Sequence, residues 1–515
     1  MAAGCTRGAR LPALVVFVGL LLFYVLVASG HVQTYDVAET ISVSQQWADT
    51  GHFWITGYPP IPGGGSVAGV GGHLYAAHDI GMSLLFLPVS LLQHWGLVAP
   101  TLANLLYTLL DPLVVALTCT VFFLFQFRLT GRRGVAVASA LILGLATVVL
   151  PYAHVAFDAA PTMFLTLLCF YLLYRAQAAP VTWRYLAAGC AAGGTVLLRV
   201  DSAILVAVAC LWVLVRLLPA GLRAAKDLVA WFLPLVAALA VTMAYDWTRF
   251  GTVTDNGHHD DPATKLAGSL LTGLAGQLVS PGKGIVFFAP VVVVALLGWR
   301  RFAREQRWFA GAVGLAALGY LVFHAMLINW SGAQAWGPRF LVPVFPLIML
   351  PLGYVLAGWA GWGWLRRGAV AVLVVAGFGV NLPGILTDDV AVDLLHGGTA
   401  QATAFHDSQI GFGWQVVVRS LRGGIPYPSN LEGGVLPPPV PRLDLWWLGG
   451  WSGAVHHPTA ARAVAALLAV AVLAVVAGAA VAAVRGRRAA APAPAADAPA
   501  FAAVPEPATE GRRQG

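Results

Sequence analysis

Apolar runs of the roughly 20 residues that a helix needs to cross a bilayer begin near Leu11, Thr101, Gly134, Phe157, Arg184, Ser202, Leu228, Gly284, Trp308, Phe340, Gly368 and Ala461. This pattern predicts an all-α polytopic membrane protein with about 12 transmembrane helices. The first run follows Arg7 and Arg10 and reaches Ser29, too long for the apolar region of an ordinary signal peptide, so it is expected to be an anchor. One further run, Ile80 to Trp95, is apolar but short, and its placement sets the direction of every later helix. If it lies along the surface, the clusters Arg128/Arg132/Arg133, Arg175/Arg184, Arg216/Arg223/Lys226, Arg300/Arg301/Arg304/Arg307, Arg366/Arg367 and Arg485/Arg487/Arg488 share one side with Arg7 and Arg10. As a span it would place nearly all of them outside. The positive-inside rule therefore predicts an interfacial or re-entrant helix at 80–95 and both termini in the cytoplasm. Segments 30–100, 247–283, 329–338 and 385–460 then face outward.

Composition supports this class. Hydrophobic residues make up 59% of the 515-residue chain and charged ones only 10%, with mean hydropathy +0.77, whereas about a quarter of a soluble protein is charged. The net charge of +8 is accounted for by orienting loop arginines, so nucleic acid is excluded as a partner. Cys5 precedes the first run, and Cys119, Cys169, Cys190 and Cys210 fall inside later ones with no CxxC pair, which supports neither a disulfide framework nor a cysteine metal site. Most acids lie in or beside the outer segments, which points to an outward-facing polar site. The expected organisation is a catalytic membrane region over 1–385 that includes the outer loop 30–100, an extracytoplasmic cap over 386–460, a last span over 461–484 and a disordered cytoplasmic tail over 485–515.

The candidate chemistry begins in the first outer loop. In Thr34-Tyr35-Asp36-Val37-Ala38-Glu39, Asp36 and Glu39 would share one face of a short helix, as a capping box or as paired functional carboxylates. His78-Asp79 heads the 80–95 helix. Ionisable residues near membrane depth, Asp158, Arg199 and Asp201, would line a cavity or form an internal charge pair. Lys283 sits in Ser-Pro-Gly-Lys-Gly, an anion-binding bend or an ordinary turn. Arg339, in Trp336-Gly337-Pro338-Arg339, would bind an anion or snorkel to the headgroups. His258-His259-Asp260-Asp261 has metal-ligand residue types, but adjacent residues rarely point at one ion.

The order of an N-terminal span, an outer loop with an acid at the start of an amphipathic helix, Gly51 fifteen positions after Asp36, and a surface helix resembles the GT-C superfamily of membrane glycosyltransferases. Within it, the family 39 type, which includes protein O-mannosyltransferases and bacterial aminoarabinose transferase, is the nearest resemblance. Pro151 to Arg175, Leu197-Leu198-Arg199-Val200-Asp201, Ser280 to Gly284 and Trp336 to Pro346 extend it over residues 10 to 385. The chain departs from the common pattern at Val37, where many relatives carry a second acid, and at Ala77-His78, where a lysine-proline pair is frequent. The resemblance implies transfer of a sugar from a polyprenyl-phosphate donor to a glycan, lipid or protein acceptor on the outer face, within the lipid bilayer. It implies Asp36 as general base with Glu39 beside it, Arg339 and Lys283 on the donor phosphate, and His78, Asp79, Asp158, Arg199 and Asp201 around the cavity. The motifs establish no cofactor; His78-Asp79 is a better place than 258–261 for a divalent cation, or for a hydrogen bond to the acceptor. A transporter or flippase of a lipid-linked sugar, and a non-catalytic scaffold of the same fold, are the alternative readings.

Overall fold

The computed structural model describes residues 9–56, 66–258, 265–332, 335–389, 392, 404–423, 443–449 and 451–489. His259, Asp260 and Asp261, part of the expected cap (390–391, 393–403, 424–442 and 450) and most of the expected tail lie outside the described residues. The principal helices are α1 (Arg10–Leu26), α2 (Tyr35–Thr50), α3 (Ile80–His94), α4 (Pro100–Thr108), α5 (Leu110–Thr130), α6 (Arg133–Leu145), α7 (Ala159–Ala178), α8 (Thr182–Leu198), α9 (Ala203–Leu217), α10 (Ala225–Phe250), α11 (Leu270–Val279), α12 (Arg307–Ala325), α13 (Trp364–Asn381), α14 (Gln409–Leu421) and α15 (Pro458–Ala489). The only sheet among the described residues is a small hairpin, β1 (Ser66–Ala68) against β2 (Leu74–Ala76), antiparallel with Ser66 opposite Ala76.

Six stretches are long and apolar enough to cross a membrane: 100–130, α7, 200–250, α12, α13 and the first part of α15, with shorter apolar helices at α1, α3, α6, α11 and 339–348. This is an all-α, multi-pass membrane protein. Side chains on α10 such as Val229, Leu233 and Val236, and on α15 such as Leu467, Val470 and Leu473, stand more than half exposed, the arrangement expected where lipid covers them. Inside, Phe122, Phe123, Phe125 and Trp231 are enclosed.

The runs from Gly284 and Phe340 differ from the expected single spans. The first breaks into short helices 285–288, 292–297 and 299–305 around Pro290, and the second into pieces 339–344, 345–348 and 352–356 with prolines at 343, 346 and 351. Proline lacks the N–H that would continue the helix and its ring crowds the preceding turn. A further apolar helix, α11, stands within the segment read as an outer loop.

The first loop is positioned by packing of α2 along α3. Ser44 and Ser90 hydroxyls meet at 2.8 Å, and Ser83 donates to the Thr40 carbonyl at 2.9 Å. The start of α3 in turn docks on the end of α8. A Cβ at Gly81 would stand 2.5 Å from the Leu197 carbonyl oxygen, so only glycine permits that approach. The close approach brings His78 and Asp79 to the α8–α9 junction, and with them the N-terminal end of α2.

Candidate functional site: a carboxylate between an imidazole and a guanidinium

The N-cap of α2 is Thr34, whose hydroxyl accepts the Val37 N–H at 3.2 Å. The capping-box reading of Asp36 and Glu39 is thereby displaced: the cap is two residues earlier, and the Asp36 carboxylate has no part in it. Asp36 Oδ1 lies 3.8 Å from His78 Nε2 and Oδ2 lies 3.8 Å from Arg339 Nη1, with the Asp36 side chain 41% exposed. At that separation neither contact is a direct hydrogen bond, so the carboxylate lone pairs remain open to a third group. Glu39, enclosed behind it, places Oε2 at 3.4 Å from His78 Nε2. Burial works to raise the Asp36 pKa, but His78, Arg339 and His258 outweigh it and hold the carboxyl below its ordinary value. Burial likewise opposes charge on His78, and Asp36 and Glu39 overcome it and hold the imidazole above its ordinary value.

Arg339 arrives from a loop held on several sides. Trp336 Nε1 donates to Asn381 Oδ1 at 3.1 Å, the Tyr152 hydroxyl donates to the Trp336 carbonyl at 3.1 Å, and Gln409 at the start of α14 accepts the Gly337 N–H at 3.0 Å. Gly337 has φ +61°, and a Cβ there would meet Phe288 at 2.8 Å, so the bend that aims Arg339 needs glycine on two counts. The guanidinium lies 4.6 Å from the Phe157 ring centroid and 5.5 Å from that of Phe340. Its Nε is buried with no hydrogen-bond partner among the described residues, an orphaned donor beside an open carboxylate. A narrow crevice next to this pair is lined by Thr34, Tyr152, Val155, Phe157, Trp336 and Asp389 among others.

Lys283 stands elsewhere. Its side chain is fully buried, and its ammonium donates to the Ala335 carbonyl, which also accepts Gln409 Nε2 at 2.9 Å. It supports the Arg339 loop from behind. Asp79 accepts the Val200 N–H at 2.8 Å, a tie between the head of α3 and the α8–α9 junction. Burial, ahead of the lowering effects of Val200 N–H and Arg249, pushes its carboxyl up to about 6.

Asp158, Arg199 and Asp201 form one network. Arg199 makes a bidentate pair with Asp201 at 2.6 and 3.2 Å and reaches Asp158 at 3.2 Å. Asp201 also meets the Tyr320 hydroxyl at 3.2 Å and His324 Nε2 at 2.9 Å. Arg199 lies 5.6 Å from the Phe340 ring centroid, so Phe340 separates this network from Arg339. Sequence reasoning did not single out His324, Tyr320 or Phe340. His324 and Tyr320 sit four apart on one face of α12, and an apolar run interrupted by Tyr-x-x-x-His was the available signal.

A second grouping ties the chain's end to its beginning. Asp444 is fully enclosed and meets His31 Nε2 at 2.8 Å, His154 Nε2 at 3.1 Å and the Gln33 amide. Trp446 and Trp447 donate their indole N–H groups to the Val25 and Leu26 carbonyls at 2.8 and 2.9 Å, at the end of α1 where carbonyls run out of intrahelical donors. Against the opposing effect of burial, Asp444 raises the His31 pKa to about 9, and the two histidines hold Asp444 well below its ordinary range.

Among the described residues no group of three or more His, Cys, Asp or Glu is placed to hold a metal ion.

No family model matches the chain, and no curated protein matches it. The chain is similar in structure to the crystal structure of ArnT from Cupriavidus metallidurans bound to undecaprenyl phosphate, at 14% identity and TM-score 0.46, covering 82% of this chain and 72% of that one. The apo form of the same protein aligns at 15% identity and TM-score 0.48, covering 81% and 69%.

Proposed function

We propose that this chain is a GT-C-type glycosyltransferase that moves a sugar from a polyprenyl-phosphate donor to an acceptor hydroxyl on the extracytoplasmic face. The observation that carries the reading is the Asp36 carboxylate, partly exposed, without a side-chain hydrogen bond among the described residues and set between His78 and Arg339. An acceptor hydroxyl donates its hydrogen to Asp36 while its oxygen attacks the anomeric carbon. The bond from that carbon to the phosphate oxygen breaks, the proton passes to Asp36, and Arg339 takes the charge left on the lipid phosphate through its free donors. A carboxylate held at low pKa is a weak base, which suits a transition state with oxocarbenium character in which the proton leaves late.

In this reading His78 and Glu39 fix the position of Asp36, and Lys283 acts by holding the Ala335 to Arg339 loop. The Asp158–Arg199–Asp201 network forms the adjoining wall. Residues 1–385 carry the chemistry, Gln409 from the 386–460 segment braces the Trp336 loop, and both termini lie in the cytoplasm. The acceptor is a glycan, lipid or protein hydroxyl. The test is transfer of labelled sugar from polyprenyl phosphate in membranes holding equal amounts of wild type and the Asp36→Asn variant. Release of free polyprenyl phosphate separates transfer from flipping, since a flippase leaves the sugar–phosphate bond intact. Absence of release by wild type would remove the enzyme reading.

A further inference from the structure

A second cavity of about 350 Å3 lies where the end of α7, the start of α8, the end of α9 and the start of α10 meet, lined by Gln177, Tyr185, Trp212, Arg216, Arg223 and Asp227 among others. Asp158 and Gln177 are at opposite ends of α7, which at 1.5 Å per residue puts about 28 Å between them. The cavity is therefore at the other membrane face from Asp36.

Its charged lining is predominantly cationic. Arg216 is held against the wall with its guanidinium 5.2 Å from the Trp212 ring centroid. Neither Arg216 nor Arg223 has an ion pair or side-chain hydrogen bond among the described residues. The one acid in the lining, Asp227, is 9% exposed and already accepts the Thr182 hydroxyl at 2.6 Å, which leaves two uncommitted cations against one engaged carboxylate. The rim is apolar. Leu218 is 59% exposed and Leu222 93%, both on the seven-residue connection Leu218–Ala224 between α9 and α10, and Val215 above them is exposed as well. Exposed basic groups at the cavity's mouth with leucines projecting from its edge match a ligand that is anionic at one end and hydrocarbon at the other.

We propose that this cavity binds the phosphate headgroup of an anionic membrane phospholipid, with Arg216 and Arg223 on the phosphate and Leu218 and Leu222 along the acyl chains. The site is independent of the glycosyltransferase reading. It is tested on full-length protein, delipidated in an uncharged detergent and offered phosphatidylglycerol, phosphatidylcholine or inorganic phosphate, with bound lipid per protein counted by native mass spectrometry. Wild type should retain phosphatidylglycerol at least about fivefold over phosphatidylcholine, the effect expected of one or two arginines near a charged headgroup. Arg216→Gln/Arg223→Gln should bring the ratio close to one. Ala220→Trp, which fills the mouth without changing charge, should do the same, so that misfolding of one variant does not decide the matter. Arg300→Gln/Arg304→Gln, at exposed arginines remote in sequence from the cavity, should leave the ratio unchanged. Equal loss in that control, retention of the preference in both cavity variants, or displacement of the lipid by millimolar inorganic phosphate would each overturn the proposal.

Discussion

Replacing Asp36 by Asn separates a structural carboxylate from a chemical one with unusual clarity, because the cap of α2 belongs to Thr34. The folding terms at stake are small. A first-turn acid gains about 0.3–1 kcal/mol from the helix dipole, and an ion pair that is partly exposed contributes about 0–1 kcal/mol. The variant should therefore fold within about 1–2 kcal/mol of wild type. If Asp36 accepts the acceptor's proton, the amide cannot, and turnover should fall by about 10²- to 10⁴-fold, a barrier change of about 2.7–5.4 kcal/mol. The assay is initial-rate transfer of labelled sugar at saturating donor, with thermal unfolding of the purified variant beside it. Thr34→Ala makes the opposite comparison, removing a cap at a cost of about 1 kcal/mol in stability. The pH profile adds a second readout. Since Asp36 is held below its ordinary value of 3.8, the acid limb of the wild-type rate should lie below pH 3.8, and removing the positive charge of Arg339 should move it upward. Near-normal transfer by the Asn variant, with unchanged melting, would refute the reasoning, for it would show an open carboxylate beside the crevice with no proton to accept.

Arg339→Gln should weaken use of the lipid-linked donor by about 10- to 100-fold, the loss expected for one charge-assisted contact, while melting is unchanged; Arg339→Lys should recover only part of it, as read from donor titrations. Lys283→Met should lower thermal stability and donor use together, because its ammonium is enclosed against Ala335; a purely kinetic effect would place it on the donor. Asp79 has a folded pKa of about 6 against 3.8, so its ionisation is disfavoured by the fold and stability is lost as pH rises through that interval; Asp79→Asn, which keeps an oxygen for the Val200 N–H, should melt higher than wild type at pH 7.5 and lose that advantage at pH 4. His31 is raised from 6.5 to about 9, so its contribution is full below pH 6.5 and disappears as pH rises through 9; melting should fall between pH 7 and 10, and His31→Gln should flatten that fall.

The helical pattern, and Asp36 and Arg339 as separate candidates, followed from the sequence for a physical reason, whereas placing the two in one site rested on the family resemblance. A span announces itself through some twenty consecutive apolar side chains, and a loop acid or a span-end arginine stands out against that background. The interrupted runs were harder. Between Phe340 and Leu356 the hydropathy of a span is intact, yet Pro343, Pro346 and Pro351 each remove a backbone donor. Hydropathy reports what the segment is surrounded by, and the prolines report what its backbone can do. The cap of α2 shows a similar limit. Thr34 and Asp36 both satisfy the residue preference for an N-cap, and only the β-region conformation of Thr34, with φ −119° and ψ 149°, decides between them.

The other contacts across long separations in the chain were not legible. His324 meets Asp201 across 123 positions, and Asp444 meets His154 across 290. The Asp444 cluster has a consequence for the site even though it touches none of the residues assigned to it. Gln33 donates to Asp444 and stands next to Thr34, the cap that sets where α2 begins and so where Asp36 points. His154 joins the same carboxylate three residues before Phe157, on which the Arg339 guanidinium rests. One buried anion from the end of the chain thus fixes the two segments that carry the opposite sides of the proposed active site. Burying that charge is tolerable because three donors surround it. The carboxylate that does no chemistry is, on this argument, the one that sets the spacing between Asp36 and Arg339.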